Sequence, residues 1–328
     1  MVQFLARRAF HALILVAITL TITFVVLHLA PGDPVARYVQ PDIDPVDLER
    51  IRRSLGLDAP IHVQYFHWAK SFLSGDFGMS FAHHRPVQNL LAETIPRTLL
   101  LTTLALGVQI LLGVWVGGMA ARHRQRTVDH ALSGAVVALY ALPPFYLAYL
   151  LITWFAIDHA WLPTAGLATP GLDAHGWAYV ADRARHLILP VCVLGVASAA
   201  GFARFTRGSL VDALADDYTR TARAKGVSEG RVVWRHAFRN ALPPLFTVAG
   251  LSAPFLLGGA VVIETVFAWP GMGSLMVDSI GSRDYPVVLA INFIGACLVI
   301  AGNFLADAAS AWADPRSRSS GSGARWEP

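Results

Sequence analysis

Residues 220–244 read RTARAKGVSEGRVVWRHAFRNALPP and gather six cationic side chains, Arg220, Arg223, Lys225, Arg231, Arg235 and Arg239. Guanidinium and ammonium groups at this density can pair with carboxylates or phosphates. The residues that would turn them into a nucleotide site are missing. A phosphate-cradling loop needs Gly-Lys-Ser/Thr, and the two lysines, Lys70 and Lys225, each follow an alanine. The sequence also has no HExxH pair, GxSxG elbow or GxGxxG turn, so zinc hydrolysis, acyl-enzyme chemistry and dinucleotide binding lose their readable signatures. Cys192 and Cys297 stand alone in apolar runs with no Cys or His at metal spacing, as buried small hydrophobes do. The expectation is a chain with no catalytic residue, no metal site and no cofactor of its own, and substrate-binding residues cannot be named from the sequence.

The surroundings of these cations explain why they are there. The chain of 328 residues is 55% hydrophobic and 15% charged, with a mean hydropathy of +0.49. That balance belongs in a bilayer. A net charge of +4 and a pI near 9.3 invite nucleic acid as a ligand, but the arginines sit at the ends of apolar runs, so no nucleic-acid partner is expected. A spanning helix needs about 20 apolar residues, and six runs qualify: 10–30, 98–121, 131–157, 187–205, 246–263 and 287–306. The fold class expected is an all-α integral membrane protein of about six transmembrane helices, with a partly helical outer loop and a short helix on the opposite face. The first run follows Arg7 and Arg8 and lacks a clear small-x-small cleavage site, so it reads as a retained helix. Arg7, Arg8, Arg122, Arg124, Arg126, the 204–239 segment, Arg316 and Arg318 all fall on one side, which the positive-inside rule makes cytoplasmic together with both termini.

Outside the spans, DPVDLERIRRSLG carries helix start and stop signals in Asp44, Pro45, Asp47 and Gly56, so a short helix is expected there. Next, Tyr65, Phe66, Trp68 and Phe72 suit an interfacial helix, either a lid on the bundle or a docking surface. His11, His28, Arg204, Glu264 and Asp307 lie near span ends and read as interfacial side chains, leaving no central ionisable group to couple an ion gradient. Energy for active transport would come from another chain. Pro143, Pro144, Pro190 and Pro254 are candidate helix hinges, with static kinks as the equal alternative.

In the basic stretch itself, Asp216 or Asp217 can cap a helix through Lys225, and Gly226 can end it in the left-handed conformation. Ser228 can cap a second helix, whose Trp234, Ala237, Phe238, Ala241 and Leu245 form an apolar stripe before Pro243 and Pro244 break it. This makes a knob of two short helices bent at a glycine. It reads equally as a partner-docking element and as a basic loop that sets topology.

The segment DYTRTARAKGVSEGRVVWRHAFRNALPP resembles the cytoplasmic coupling loop of ABC importer permeases, the inner-membrane components of binding-protein-dependent transport systems, and in particular their dipeptide, oligopeptide and nickel branch. The wider family begins the loop Glu-Ala-Ala; here Arg220, Thr221 and Ala222 stand there and Gly226 is kept. LAPGDP, LGLDAP, GDFGMSF, PVQNLLAETIPRTLLL, ETVFAWPGMGSL, SRDYPVV and NFLAD extend the resemblance across nearly the whole chain. It implies a permease that moves di- or oligopeptides inward, with nickel, glutathione or another small solute as the alternative within the family and a membrane scaffold as the remote one. It also implies a homologous second permease subunit, two ATPase subunits that hold ATP and Mg, and an extracytoplasmic substrate-binding protein. Thr219, Arg220, Thr221, Ala222, Arg223, Ala224, Lys225 and Gly226 would be the coupling helix in the ATPase groove, with Arg223 and Lys225 pairing to acidic groups on its rim. Residues 1–30 would form the N-terminal segment and first span, 31–97 the outer loop region, 98–308 the transport core with the coupling loop at 212–245, and 309–328 a flexible tail.

Overall fold

A computed structural model describes residues 2–29, 59–172 and 175–313; the helix anticipated around Asp44 to Gly56 and most of the anticipated tail lie outside them. Helix α1 spans Val2–Leu29, α2 Ile61–Leu73, α3 Val87–Arg122 and α4 Thr127–Ala141. Helix α5, Pro144–Leu151, runs on into π-helical turns at Ile152–Asp158. Helix α6 is Trp177–Ala215 and α7 is Asp217–Ala224; one turn at Glu229–Arg231 and π-helical turns at Val232–Ala237 then lead into α8, Phe238–Val266. Helices α9, Met272–Gly281, and α10, Tyr285–Ala313, follow. The last helix therefore runs several residues past the boundary expected at 308.

Among the described residues four helices are long and apolar enough to cross a membrane, within Ala6–Val26, Val87–Arg122, Trp177–Ala215 and Tyr285–Leu305, and the count reaches six if each of two bent helix pairs is one span. One bent pair is α4 with α5, turned by 101° at Leu142–Pro143. Leu142 is extended (φ −80°, ψ 126°), as the residue before a proline prefers, and Pro144 takes the first position of the new helix. Pro190 behaves differently, lying buried inside an uninterrupted α6. Pro243 and Pro244 do not end the helix either, contrary to the expectation from their sequence: α8 passes through both. Ala241 and Leu245 on either side are buried with Ala121, Phe202 and Leu210, and that packing holds the segment helical. Pro254 falls inside α8 in a stretch whose side chains are outside the described ones.

The core is organised around α3 and α6. Gly195 stands against Val108, Gly113 against Phe202, and Gly117 against Ala203 and Thr206, so the contact numbers rise together and the two helices run parallel. Small residues at this spacing let two backbones approach where no hydrophobic force separates helix from lipid. A side chain begun at Gly117 would lie 2.5 Å from the Ala203 carbonyl oxygen, whereas at Gly107 it would meet nothing within 4 Å. Gly117→Ala is expected to destabilise the detergent-purified chain by about 1–3 kcal/mol, read as a fall in thermal unfolding midpoint. Gly107→Ala should leave the midpoint in place, and equal midpoints for the two variants would contradict the close approach.

On one end of the bundle, α2 carries the aromatics anticipated there. Tyr65 and Trp68 meet Phe24 of α1, Trp68 stacks on Phe72 at 4.4 Å between ring centres, and Phe72 meets Phe293 of α10. Phe66 alone of the four points outward. Three rings thus clamp the helix on α1 and α10, while Phe66, with Ile61 and Leu73 at the helix ends, faces outward.

Candidate functional site

Helix α7 follows an extended Asp216 (φ −70°, ψ 153°), but that residue's side chain makes no cap bond. The Thr219 hydroxyl ties the first turn back to the end of α6, donating to the Leu214 carbonyl at 2.9 Å and the Asp216 carbonyl at 2.8 Å. At the other end Gly226 is left-handed (φ +78°), its N–H bonds the Arg223 carbonyl at 2.9 Å, and the Val227 N–H reaches the Ala222 carbonyl at 3.2 Å. This is the paired closure that glycine makes at helix ends. Ser228 holds the capping position of the next turn through its backbone alone.

Of the eight residues expected to meet a partner, the structure turns six outward: Arg220, Thr221, Arg223, Ala224, Lys225 and Gly226. Thr219 and Ala222 are buried within the chain, Thr219 completely, because one face of an eight-residue helix must rest on the body that carries it. Arg223 is also not a free cation. Its Nε and one terminal nitrogen bond both Glu229 carboxylate oxygens at 3.1 and 2.8 Å, a bidentate pair that ties α7 to the turn beyond Gly226. Arg220 lies 3.5 Å from Asp217 with both side chains largely in solvent, so that pair adds little. A side chain begun at Gly230 would meet the Arg122 guanidinium at 3.7 Å, which brings the end of α3 onto the same turn.

The apolar stripe anticipated beyond Ser228 is buried at Ala237, Ala241 and Leu245, and the π-helical turns add Val232 and Val233. The wider turn also shifts the register and leaves Trp234 partly exposed, its ring over Gly118. Beneath the hairpin lies an ion pair that has no signature in the sequence. Arg207 of α6 binds both carboxylate oxygens of buried Asp129 at 2.6 and 2.7 Å, and the Gln125 N–H donates to the same carboxylate at 2.9 Å. That pair joins the α3–α4 turn to α6, and the approach of Arg122 to Gly230 brings the hairpin to the same end of the bundle, where the chain carries Arg122, Arg124, Arg126, Arg220, Lys225 and Arg231.

The opposite end holds two buried carboxylates. Glu264, expected at an interface, is completely buried: it accepts from the Thr98 hydroxyl at 2.6 Å and from the Gly273 and Ser274 N–H groups at 2.7 and 3.1 Å. The helix does end nearby, at Val266, but the start of α9 folds back over the carboxylate and buries it, so the end of the apolar run is not the end of the protein interior. Asp284, also completely buried, accepts from the Ser80 hydroxyl at 2.5 Å and from the Phe81 and Ala82 N–H groups, each at 3.1 Å. Helix α9 is thus held at its start to α3 and just beyond its end to the 80–82 loop. Among the described residues no cluster of His, Cys, Asp and Glu could hold a metal ion.

A family model described as binding-protein-dependent transport system inner membrane component matches residues 109–319, and one for the N-terminal part of such membrane components matches residues 1–102. The oligopeptide transport system permease protein AppB of Bacillus subtilis (strain 168) is 38% identical over 318 residues, covering 96% of this chain and 99% of its own. The glutathione transport system permease protein GsiC of Salmonella typhi is 40% identical over 318 residues, covering 97% and 99%. GsiC of Escherichia coli (strain K12) is 39% identical over the same length. A structure of the MetNI methionine ABC transporter in an inward-facing conformation shares the fold, with a TM-score of 0.55 at 19% identity over 69% of this chain and 96% of that one.

Proposed function

The chain belongs to the binding-protein-dependent transport system inner membrane component family, the permeases of ABC importers, and on that premise we propose that its cargo is an oligopeptide. Full-length similarity to AppB supports the reading. A multi-pass protein of this family sits in the inner membrane; the basic face then lies in the cytoplasm with both termini, where positive loop charge favours it. There the exposed part of α7 meets an ATPase subunit, and the groove receives Thr221, Ala224 and Gly226 flanked by Arg220 and Lys225. The bidentate pair of Arg223 with Glu229 is the observation that carries this assignment, because it fixes the angle between α7 and the chain that returns to the bundle. A push on the knob is passed on as movement and is not absorbed at the glycine. The complete importer would contain a homologous second permease, two ATPase subunits holding ATP and Mg, and an extracytoplasmic substrate-binding protein.

Similarity to GsiC favours glutathione as the second reading. Uptake of a radiolabelled tetrapeptide and of labelled glutathione, measured in a host strain with and without this chain, separates them. Deletion is expected to remove tetrapeptide uptake, and the restored gene to return it. Loss of glutathione uptake alone would replace the oligopeptide reading.

A further inference from the structure

Polar groups inside a bilayer face a protein interior or water, since hydrocarbon offers them no partner. Helix α4 starts directly after Arg122, Arg124 and Arg126 and rises roughly 22 Å over its 15 residues, so the break at Leu142–Pro143 falls within a hydrocarbon layer about 30 Å thick. Three tyrosines flank that break. Tyr140, Tyr146 and Tyr149 are 71%, 45% and 64% exposed, and none of their hydroxyls has a hydrogen-bond partner among the described residues. Pro144 also has no N–H to offer the Tyr140 carbonyl, which a continuous helix would have satisfied. The opposite side of α5 is fully engaged, with Leu147 and Ala148 buried against α6 and α8. A cavity of about 360 Å³ opens beside Tyr149; its lining is mostly apolar, from Leu150, Leu151 and Trp154, with Asp158 also on it, and the Thr153 hydroxyl behind it is buried and unpartnered.

We propose that this wall of the broken span, Tyr140, Tyr146, Tyr149 and the cavity reaching Thr153 and Asp158, lines the water-filled cargo path and contacts the cargo. Lipid would leave three phenol hydroxyls and a backbone carbonyl unsatisfied along one face. A peptide satisfies them: its amide groups offer donors and acceptors to the hydroxyls. Its terminal ammonium fits between the Tyr149 and Trp154 rings and the Asp158 carboxylate. Hydroxyls that both donate and accept tolerate any peptide sequence, which suits contacts to the main chain. The inference rests on the permease reading, and it assigns the contact to named side chains of this chain.

The test uses the full chain with its native partners in intact cells, with Cys192 and Cys297 replaced by alanine. Single variants Tyr140→Cys, Tyr146→Cys and Tyr149→Cys are exposed to a membrane-impermeant cationic methanethiosulfonate, beside Leu111→Cys on the outer side of α3. The tyrosine sites are expected to react at least about tenfold faster than Leu111→Cys, because thiolate forms only where water reaches, and tetra-alanine should slow them severalfold. Equally slow reaction at all four sites would overturn the proposal by placing the wall against lipid or a second chain. Fast reaction that neither tetra-alanine nor glutathione slows would overturn the cargo contact. Tyr149→Phe, which removes only the hydroxyl, should raise the KM for tetrapeptide uptake roughly three- to tenfold at unchanged chain abundance. Water access is read without any choice of cargo, so a strain that imports glutathione and no peptide would sink the oligopeptide reading while leaving this wall in place.

Discussion

Glu264→Leu is expected to prevent the chain from accumulating in a folded form. The carboxylate is the acceptor for three donors, the Thr98 hydroxyl and the N–H groups of Gly273 and Ser274, in a site with no solvent exposure. Leucine keeps approximate bulk and removes every acceptor. Each orphaned buried donor costs about 1–3 kcal/mol, so the three together approach the whole stability of a domain, about 5–15 kcal/mol. The damage also spreads, because Thr98 sits on α3, Glu264 on α8 and the two N–H groups at the start of α9. Glu264→Gln retains one acceptor oxygen for the α9 N–H groups and should be distinctly milder. Fluorescence-detected size-exclusion in mild detergent reads the difference directly: a sharp peak for wild type, a reduced one for Gln, and aggregate for Leu. A Glu264→Leu chain as abundant and as thermostable as wild type would show that the carboxylate's bonds add no net stability.

How much of this architecture the sequence discloses depends on whether the deciding force is local. The six apolar runs are legible because hydrocarbon selects on length and composition alone. Gly226 is legible because a single backbone conformation is at stake. The tandem prolines show where local reasoning stops. Pro143–Pro144 breaks a span and Pro243–Pro244 does not, although the dipeptide is the same. Tyr140 and Phe145 beside the first pair are exposed, whereas Ala241 and Leu245 around the second are buried, so neighbours distant in sequence decide the outcome. The ion pair of Asp129 with Arg207 joins residues far apart in the chain and offers no pattern to find. Glu264 did leave a signal: an acid at the end of an apolar run, followed by Gly271 and Gly273. A side chain begun at Gly271 would meet the Glu264 carboxylate at 2.3 Å, so the glycine marks the close approach of a buried acid. The π-helical turns at Ile152–Asp158 and Val232–Ala237 have no compositional signature.

The same distinction between local and distant causes makes Gly226→Asp the sharpest test of coupling. This variant is expected to reduce tetrapeptide uptake to the level of a strain lacking the chain while leaving its folded abundance within about twofold of wild type. The left-handed conformation at φ +78° disfavours most side chains, but aspartate and asparagine are the residues that tolerate it best. A side chain begun there meets no atom of this chain within 4 Å. The fold therefore has little reason to fail, and any large loss of transport must arise on the outer side of the knob, where a partner would need both the space and the neutral surface. Gly226→Asn, nearly isosteric and uncharged, separates the two requirements: equal loss points to crowding, partial recovery to charge. Ala222→Trp cannot serve this purpose, because Ala222 is buried beneath α7 and a large ring there would unseat the hairpin itself. ATPase activity carried along with the tagged chain from its own host gives a second readout, expected with wild type and lost with Gly226→Asp. Normal uptake and normal co-purified ATPase activity in that variant would remove α7 from the coupling path and leave the basic face as a determinant of topology.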